Sequence, residues 1–274
     1  MIQDPSLKDF FARFDFHLTP FTREIKVRDR FQSEVYEDPL THLIRTVSKS
    51  MSAVLIAPAG TGKTALLRAL VDRLPEARFK VHYVKVTDLS KRDFCREISV
   101  AIHAKSSGTY PSLVRNLQDR FSQARDADHV RPVLVLDEAH DIRPDVLGIL
   151  RLLTNYEMDS RLVVSIILAG QPPLADILSQ DRLRDVAERL AHRATLRLLE
   201  LDELREYVKH RCRIAGASSS CPFTSEAVNT LFEYTRGNLR ATDRLGLKSL
   251  EVAHDHESDA VDATHVREAR EMVL

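Results

Sequence analysis

The chain of 274 residues has no excess of charge of either sign, because 40 lysines and arginines balance 40 aspartates and glutamates. A net charge of +0 gives no overall field that would attract nucleic acid, so any contact with DNA must come from a local patch. The sequence also lacks an apolar stretch approaching the ~20 residues of a membrane-spanning helix, and its first residues lack the apolar core of a signal peptide. These absences predict a cytoplasmic protein that does not enter a membrane.

Cysteine is scarce as well: Cys95, Cys212 and Cys221 stand far apart in the sequence and form no C-x-x-C pattern. An odd, sparse set of cysteines predicts reduced thiols rather than a disulfide framework. The 11 histidines show no metal-ligand spacing, and we interpret His254 and His256 as part of a solvated helix end. The sequence contains no internal repeat and no low-complexity segment.

What the sequence does contain is a phosphate-binding motif. Residues 57–64 read Ala-Pro-Ala-Gly-Thr-Gly-Lys-Thr, between an apolar run and a helix-forming run. Gly60 and Gly62 allow successive backbone N–H groups to turn towards an anion, which the start of the next helix also stabilises. Lys63 can reach the β- and γ-phosphates of a nucleotide, and the Thr64 hydroxyl can bind Mg²⁺.

The motif therefore predicts a nucleotide-binding P-loop. We expect the nucleotide to contact Pro58, Ala59, Gly60, Thr61, Gly62, Lys63 and Thr64. The motif departs from the usual G-x-x-x-x-G-K-[S/T] pattern at Ala57, where glycine is expected. Because that residue only begins the turn and a methyl group is small, we expect the site to tolerate it.

A second motif supplies the carboxylates that a P-loop requires. The apolar run 132–136 ends in Asp137 and Glu138. Ligands bind at the carboxyl ends of the strands in open α/β sheets, so Asp137 can hold Mg²⁺ through water while Glu138 polarises the attacking water.

The same segment also resembles a helicase motif, because His140 completes the sequence Asp-Glu-Ala-His. Such helicases have two tandem RecA-like domains, whereas the chain after about residue 200 looks helical.

Polar residues further along are candidates for the remaining catalytic roles. Gln171 follows an apolar run and can orient the water or contact the γ-phosphate, unless it only caps the next helix. Arg189 and Arg193 belong to an arginine cluster that could stabilise transition-state charge in a neighbouring subunit, or could form a solvated charged face. Arg240, at the start of a predicted helix, could fold back onto the phosphates.

The order of the predicted elements indicates the architecture. Apolar strands alternate with helices from residue 51 to about 200, which predicts a doubly wound parallel α/β sheet. The predicted strands are 53–57, 81–86, 133–136, 162–169 and 194–199, and the predicted helices include 144–155 and 181–192. We expect an N-terminal arm at 1–50, an ATPase base at 51–200 and a small all-α C-terminal lid at 201–274. The phenylalanines of the arm should pack onto the base.

These pieces in this order resemble a AAA+ ATPase, and the similarity covers nearly the whole chain. More narrowly, Leu136–His140, Leu168–Leu174 and Gly237–Arg240 resemble the ExeA-like branch. That branch includes the ATPase of the general secretion pathway and the ATPases that accompany transposases, which are functional relatives of MuB, TnsC and IstB. Residues Leu18–Ile25 are similar to the N-terminal stretch of the transposon-associated members.

The resemblance implies cofactors and roles. ATP and Mg²⁺ would be the cofactors, with ATP at the subunit interfaces of a ring or helical filament. The implied roles are phosphate binding by Lys63, Mg²⁺ binding by Thr64 and Asp137, catalytic glutamate for Glu138, sensor 1 for Gln171, sensor 2 for Arg240, and arginine finger for Arg189 with Arg193 second. The resemblance also places DNA backbone contacts on Lys91 and Arg92, and less on Arg96. The same residues are as typical of an ordinary charged first turn of a helix.

Two functions follow from the resemblance. Secretion-pathway members continue into a membrane segment and a peptidoglycan-binding domain, neither of which follows Leu274. We therefore expect a regulator of DNA transposition that assembles on double-stranded DNA without sequence preference, selects target sites and recruits or activates a DDE transposase. ATP hydrolysis would be slow and dependent on assembly. The alternative is a secretion-pathway or other assembly ATPase that does not act on DNA.

Overall fold

The computed structural model of the protein describes residues 5–154, 162–217 and 221–273. The strands are β1 (Ser52–Ile56), β2 (Phe79–Lys85), β3 (Arg131–Asp137), β4 (Ser165–Gly170) and β5 (Leu190–Thr195). The earlier helices are α1 (Pro5–Arg13), α2 (Glu34–Ser48), α3 (Lys63–Arg73), α4 (Lys91–Ala101), α5 (Tyr110–Asp126), α6 (Pro144–Leu147) and α7 (Ile149–Thr154). The later helices are α8 (Pro173–Leu178), α9 (Arg184–Ala187), α10 (Leu201–Ala215), α11 (Ser225–Thr235), α12 (Leu239–Asp255) and α13 (Ala263–Val273).

The chain divides into two compact units. The α/β unit contains residues 36–58 and 66–196. The helical unit contains the described residues of the ranges 1–35, 59–65 and 197–274. None of the helices in the described ranges is long and apolar enough to cross a bilayer.

The α/β unit is built on a parallel sheet with the strand order β2-β3-β4-β1-β5. Strands β1 and β4 are buried along their whole length, which explains why they read as continuous apolar runs rather than alternating ones. The strand order and the flanking helices confirm the doubly wound parallel α/β sheet. Because all strands run the same way, their carboxyl ends lie at one edge of the sheet, which we call the carboxyl edge.

Helix α4 shows how the sequence fixes the orientation of a helix in this unit. Ser90 caps its start by accepting the backbone N–H of Asp93 at 3.2 Å. Phe94 and Ile98 are completely buried in the core, where they pack with residues of α5 such as Phe121. The charged residues between them therefore lie on the exposed side of the helix.

The last strand begins earlier than the sequence predicts. The helix predicted at 181–192 is reduced to a 3₁₀ turn followed by α9, and β5 starts at Leu190 instead of residue 194. Strand β5 forms the edge of the sheet and pairs with β1 alone, so its polar residues alternate with partly buried ones. An edge strand of this kind lacks the apolar run that marks a buried strand. The helix predicted at 144–155 is divided into α6 and α7, and its last residue lies outside the described residues.

The phenylalanines of the N-terminal arm also differ from the prediction, because several of them pack against the C-terminal helices. The Phe10 ring lies 5.7 Å from the ring of His254, and the Phe21 ring lies 5.7 Å from that of Phe223. Phe10 also packs edge-on against Phe14 at 5.3 Å. These phenylalanines thus form part of the core of the helical unit, which corrects the expectation that they pack onto the ATPase base, whereas residues 36–50 of the arm belong to the α/β unit.

Arg211 joins the arm to α12 within the helical unit. Its guanidinium is almost completely buried and donates a hydrogen bond to the carbonyl oxygen of Thr22 at 2.7 Å. It also lies 3.8 Å from the carboxylate of Asp243 and 5.8 Å from the centre of the Phe21 ring. A buried charge is tolerated only when it has such partners, so this side chain fixes the position of the arm.

Candidate active site

The carboxyl edge brings together the ends of β1, β3 and β4. Leu55 pairs with Ala169, and Leu136 pairs with Leu168, so the three strands end side by side. Ala57, which begins the P-loop motif, is completely buried and donates its N–H to the carbonyl oxygen of Gly170 at 2.9 Å. The alanine methyl group is therefore packed in the unit, and the chain follows its turn without glycine at this position.

Asp137 is oriented by hydrogen bonds to both of its carboxylate oxygens. Oδ1 accepts the backbone N–H of Glu138 at 2.8 Å, and Oδ2 accepts the hydroxyl of Tyr83 at 2.8 Å. Partial desolvation of the phenol, together with the hydrogen bond to this carboxylate, raises the pKa of Tyr83, so the hydroxyl keeps its proton. Tyr83 was not among the predicted site residues, because its position depends on the pairing of β2 with β3.

Glu138 has a strained backbone. Its φ of 57° lies in the left-handed region, which in residues other than glycine typically costs about 1–3 kcal/mol and is concentrated at functional sites. The chain turns sharply here into a 3₁₀ turn at 139–141, and the Glu138 side chain stays partly exposed. The turn thus directs the predicted catalytic carboxylate away from the core at the end of β3.

Gln171 and Glu138 are both close to His140, which the sequence suggested only as part of a helicase-like motif. Nε2 of Gln171 lies 2.8 Å from Nε2 of His140, and Oε2 of Glu138 lies 3.6 Å from Nδ1 of the same ring. The contact could not be predicted from the sequence, because it depends on β3 and β4 being neighbours in the sheet. The α/β unit therefore brings Asp137, Glu138 and Gln171 to one edge, and their catalytic roles stay predictions.

The central residues of the P-loop, 59–65, belong to the helical unit. Gly60 and Gly62 have φ values of 79° and 89°, which glycine adopts without steric cost. Lys63 is buried, whereas Thr64 is exposed at the start of α3. Left-handed glycines, a lysine and a hydroxyl at a helix start are the groups that a nucleotide phosphate and its Mg²⁺ require, so these residues fit both.

Asn238 contacts the P-loop in the helical unit. Its Nδ2 donates to the carbonyl oxygen of Ala59 at 2.8 Å, while its Oδ1 caps α12 by accepting the N–H of Ala241 at 3.1 Å. The backbone N–H of Arg240 donates to the carbonyl oxygen of Gly60 at 3.2 Å. A Cβ atom at Gly60 would lie 2.3 Å from Asn238 Oδ1, so the contact requires glycine there. Arg240 was predicted from the sequence, whereas Asn238 was not, because its hydrogen bond to Ala59 forms only in the folded chain.

The candidate arginine fingers lie away from the carboxyl edge. Arg189 immediately precedes Leu190, which pairs with Ser52 at the first position of β1, so Arg189 lies at the amino end of the sheet. Roughly 15 Å of strand separates that end from the carboxyl edge at about 3.3 Å per residue. Arg193 pairs with Val54 in the middle of β5 and is exposed, while Arg189 is half-buried. The backbone of neither arginine therefore lies at the carboxyl edge of its own chain.

The predicted DNA-binding residues lie on the exposed side of α4 near acidic residues. Nζ of Lys91 is 3.7 Å from a carboxylate oxygen of Asp145, and Arg96 is 3.6 Å from Asp93. Arg92 is exposed. These carboxylates offset part of the positive charge, so a role in binding phosphates stays a prediction for all three basic residues.

Metal binding at this site would depend on few protein ligands. Over the described ranges, no group of three or more His, Cys, Asp and Glu side chains could hold a metal ion. Mg²⁺ commonly keeps several waters and is bound by one or two protein groups together with substrate phosphates. Asp137, a buried carboxylate of the α/β unit, suits that kind of binding.

Comparisons with known proteins agree with this architecture. Residues 45–178 match the AAA domain family. General secretion pathway protein A of Aeromonas hydrophila is 32% identical over 223 residues, which are 80% of this chain and 40% of that protein. The chain therefore spans less than half the length of this relative.

Solved structures show the same fold at low identity. The ORC1 protein of Aeropyrum pernix, solved in complex with DNA, has a TM-score of 0.70 and 20% identity, with 94% of this chain and 70% of that chain covered. The RuvB Holliday junction branch migration motor of Thermotoga maritima has a TM-score of 0.62 and 17% identity, with coverages of 92% and 73%. At these identities the likeness concerns the fold, a parallel P-loop sheet followed by a helical region.

The sheet, the P-loop and the family match define the class: residues 45–178 form a AAA domain of the kind found in AAA+ ATPases, and nucleotide binding belongs to that class. Within the class the chain is similar to General secretion pathway protein A, at 32% identity.

The contact between Asn238 and the P-loop leads to a prediction for Asn238→Ser. Serine keeps an oxygen that can cap α12 but loses the N–H group that bonds Ala59, so the P-loop should be less ordered. We expect the affinity for a fluorescent ATP analogue, measured by titration, to fall several-fold. The free energy of unfolding in urea should fall by about 1 kcal/mol or less.

A matched control is Thr224→Ala, which removes the cap of α11, where Thr224 accepts the N–H of Ala227 at 3.1 Å. This variant should lose about 1 kcal/mol of stability while nucleotide affinity stays unchanged. An Asn238→Ser protein with full nucleotide affinity would contradict the role given to Asn238.

Proposed function

We propose that the chain is an ATP-dependent assembly switch that hydrolyses ATP with Mg²⁺ as cofactor. Lys63 and the N–H groups of residues 58–64 hold the phosphates, while Thr64 and Asp137 hold the metal. Bound Mg²⁺ would neutralise charge on the phosphate oxygens. The fit of these residues to both groups supports the proposal, since the glycines have the required φ values and Asp137 is oriented at both oxygens.

Hydrolysis requires a water that is activated and held in line with the γ-phosphate. Glu138 accepts a hydrogen bond from that water and polarises it, because its carboxylate extends from the turn after β3. Gln171 orients the water or contacts the γ-phosphate as sensor 1, and Arg240 acts as sensor 2. We also propose the division into an arm at 1–50, a base at 51–200 and a lid at 201–274.

The position of the arginines is the observation that carries the assembly part of the proposal. Both Arg189 and Arg193 lie away from the edge where Asp137 and Gln171 lie, so either would serve the nucleotide of a neighbouring copy. ATP bound at such an interface favours a homo-oligomer, a ring or a helical filament, and hydrolysis weakens it. The exposed position of Arg193 favours contact with another molecule, while Arg189 remains the better match to the family pattern.

Glu138→Gln should separate nucleotide binding from hydrolysis. The amide keeps the size of the side chain but cannot polarise water as a carboxylate does, so turnover should fall at least 100-fold while nucleotide affinity changes little. Oligomers formed with Mg-ATP should persist for longer, which mass photometry can follow over time. The unchanged protein is the reference, and a variant with full turnover would remove Glu138 from the catalytic role.

We further propose that the switch assembles on double-stranded DNA without sequence preference, selects target sites for transposition and recruits or activates a DDE transposase. Support comes from residues Leu18–Ile25, which resemble the N-terminal stretch of the transposon-associated members. In this proposal Lys91 and Arg92 contact phosphates, with a smaller part for Arg96. Phosphate contacts position a protein without reading sequence, which suits a target selector.

Electron microscopy of the protein with duplex DNA tests this proposal. We expect filaments or rings on DNA with Mg-ATP and none with Mg-ADP. Lys91→Ala combined with Arg92→Ala should reduce DNA affinity and flatten its salt dependence, with nucleotide affinity unchanged. A useful control is Lys209→Ala, which removes a positive charge from a lysine that pairs with Glu206 on α10. Equal DNA affinity of the double variant and the control would exclude the surface on α4.

The second candidate function is that of a secretion-pathway or other assembly ATPase that does not act on DNA. The 32% identity to General secretion pathway protein A favours it. It predicts ATP-dependent oligomers that form equally well with and without DNA. The same microscopy experiment distinguishes the two functions, because a DNA-independent assembly would support this one.

A further inference from the structure

One histidine lies between two proposed catalytic side chains from different strands. The His140 ring is 2.8 Å from the amide of Gln171, which follows β4, and 3.6 Å from the carboxylate of Glu138, which follows β3. Its side chain is 13% exposed, so the ring is enclosed on most sides. The helicase-like letters in the sequence therefore correspond to a contact within the proposed site itself.

The close packing at the end of β4 holds the His140 turn in place. A Cβ atom at Gly170 would lie 3.1 Å from the backbone nitrogen of His140 and 2.8 Å from Cδ2 of Leu174. The turn is closed by the Asp141 N–H, which donates to the carbonyl oxygen of Glu138 at 2.9 Å. The absence of a side chain at Gly170 thus allows the turn after β3 to approach β4 closely enough for His140 to contact Gln171.

The protonation pattern of the ring decides how Gln171 is oriented. The backbone N–H of Gln171 points at Nδ1 of His140 at 3.5 Å, a long contact that favours Nδ1 as the acceptor and the proton of a neutral ring on Nε2. An Nε2–H donor requires the amide oxygen of Gln171 opposite it. The oxygen and the NH₂ group of an amide have nearly the same size and shape, so the side chain fits equally well with its oxygen towards the ring. The carboxylates of Glu138 at 3.6 Å and Asp141 at 3.8 Å are beyond hydrogen-bond distance, so the 2.8 Å contact dominates.

We infer that His140 is a positioning residue for the γ-phosphate. By donating from Nε2 to the oxygen of the Gln171 amide, it leaves the NH₂ end of that amide available to donate to a phosphate oxygen. The opposite tautomer would present the amide oxygen, which repels phosphate. This inference rests on the proposed function, because it assigns a partner to Gln171, the proposed sensor. It adds that discrimination between ATP and ADP depends on His140, which lies outside the P-loop.

A spectroscopic test needs neither turnover nor bound nucleotide. In protein labelled with ¹⁵N-histidine, the nitrogen and carbon-bound proton correlations distinguish the two neutral tautomers. His140 is assigned as the signal missing from His140→Gln, and we expect the Nε2–H tautomer. An Nδ1–H tautomer at neutral pH would overturn the inference, whatever the protein hydrolyses.

Nucleotide discrimination provides the functional test. His140→Ala should reduce the preference for a non-hydrolysable ATP analogue over ADP about 5- to 10-fold, with ADP affinity unchanged. His140→Gln can still donate to Gln171 and should restore most of the preference. His42→Ala, which removes an exposed histidine of α2, is the matched control and should have no effect.

A cycle with Gln171→Ala distinguishes positioning from a general structural defect. If His140 acts through Gln171, the double variant should discriminate no worse than Gln171→Ala alone, whereas independent defects would multiply. Multiplied effects, or an unchanged preference in His140→Ala, would overturn the inference. Failure of the proposed function is recognised separately, as loss of nucleotide binding or of turnover in the unchanged protein and not in the His140 variants alone.

Discussion

Parallel pairing of β1, β3 and β4 is the constraint on which the candidate site depends. Their backbone groups are buried and must be satisfied by the ladder between the strands, which fixes the register to the residue. That register places Ala57, Asp137 and Gly170 at one edge, each directly before a residue or loop with a proposed chemical role. A shift of one residue would turn Asp137 to the other face of the sheet and separate it from Tyr83.

Close backbone approach is the second constraint, and glycines provide it next to the site. Gly60 lies against Asn238, where a Cβ atom would lie 2.3 Å from Oδ1, and Gly170 lies against the His140 turn, where a Cβ atom would lie 3.1 Å from the backbone nitrogen. Gly237 has a φ of 77°, and a Cβ atom there would lie 1.9 Å from the carbonyl oxygen of Leu199, so the chain can enter α12 only with glycine. The sequence has 8 glycines in 274 residues, and three of them, Gly60, Gly170 and Gly237, lie at such close approaches near the site.

The parts of the site that could be predicted from the sequence are formed by residues that are close together along the chain. The P-loop, Asp137 and Glu138 belong to short segments whose strand, turn and helix signals are contiguous. Tyr83, His140 and Asn238 escaped prediction because each acts through a contact between segments far apart in the chain. The limits of β5 were not predicted because an edge strand has no apolar run. The packing of the arm was not predicted because its phenylalanines follow no helical or strand period.

The central claim is that the chain hydrolyses ATP as an assembly, with an arginine from one copy completing the site of the next. Turnover per protomer, measured in saturating Mg-ATP over a wide range of protein concentration, tests it most directly. The account predicts low turnover in dilute protein and a cooperative rise at the concentration where light scattering detects oligomers. Constant turnover per protomer from monomer to oligomer would contradict it.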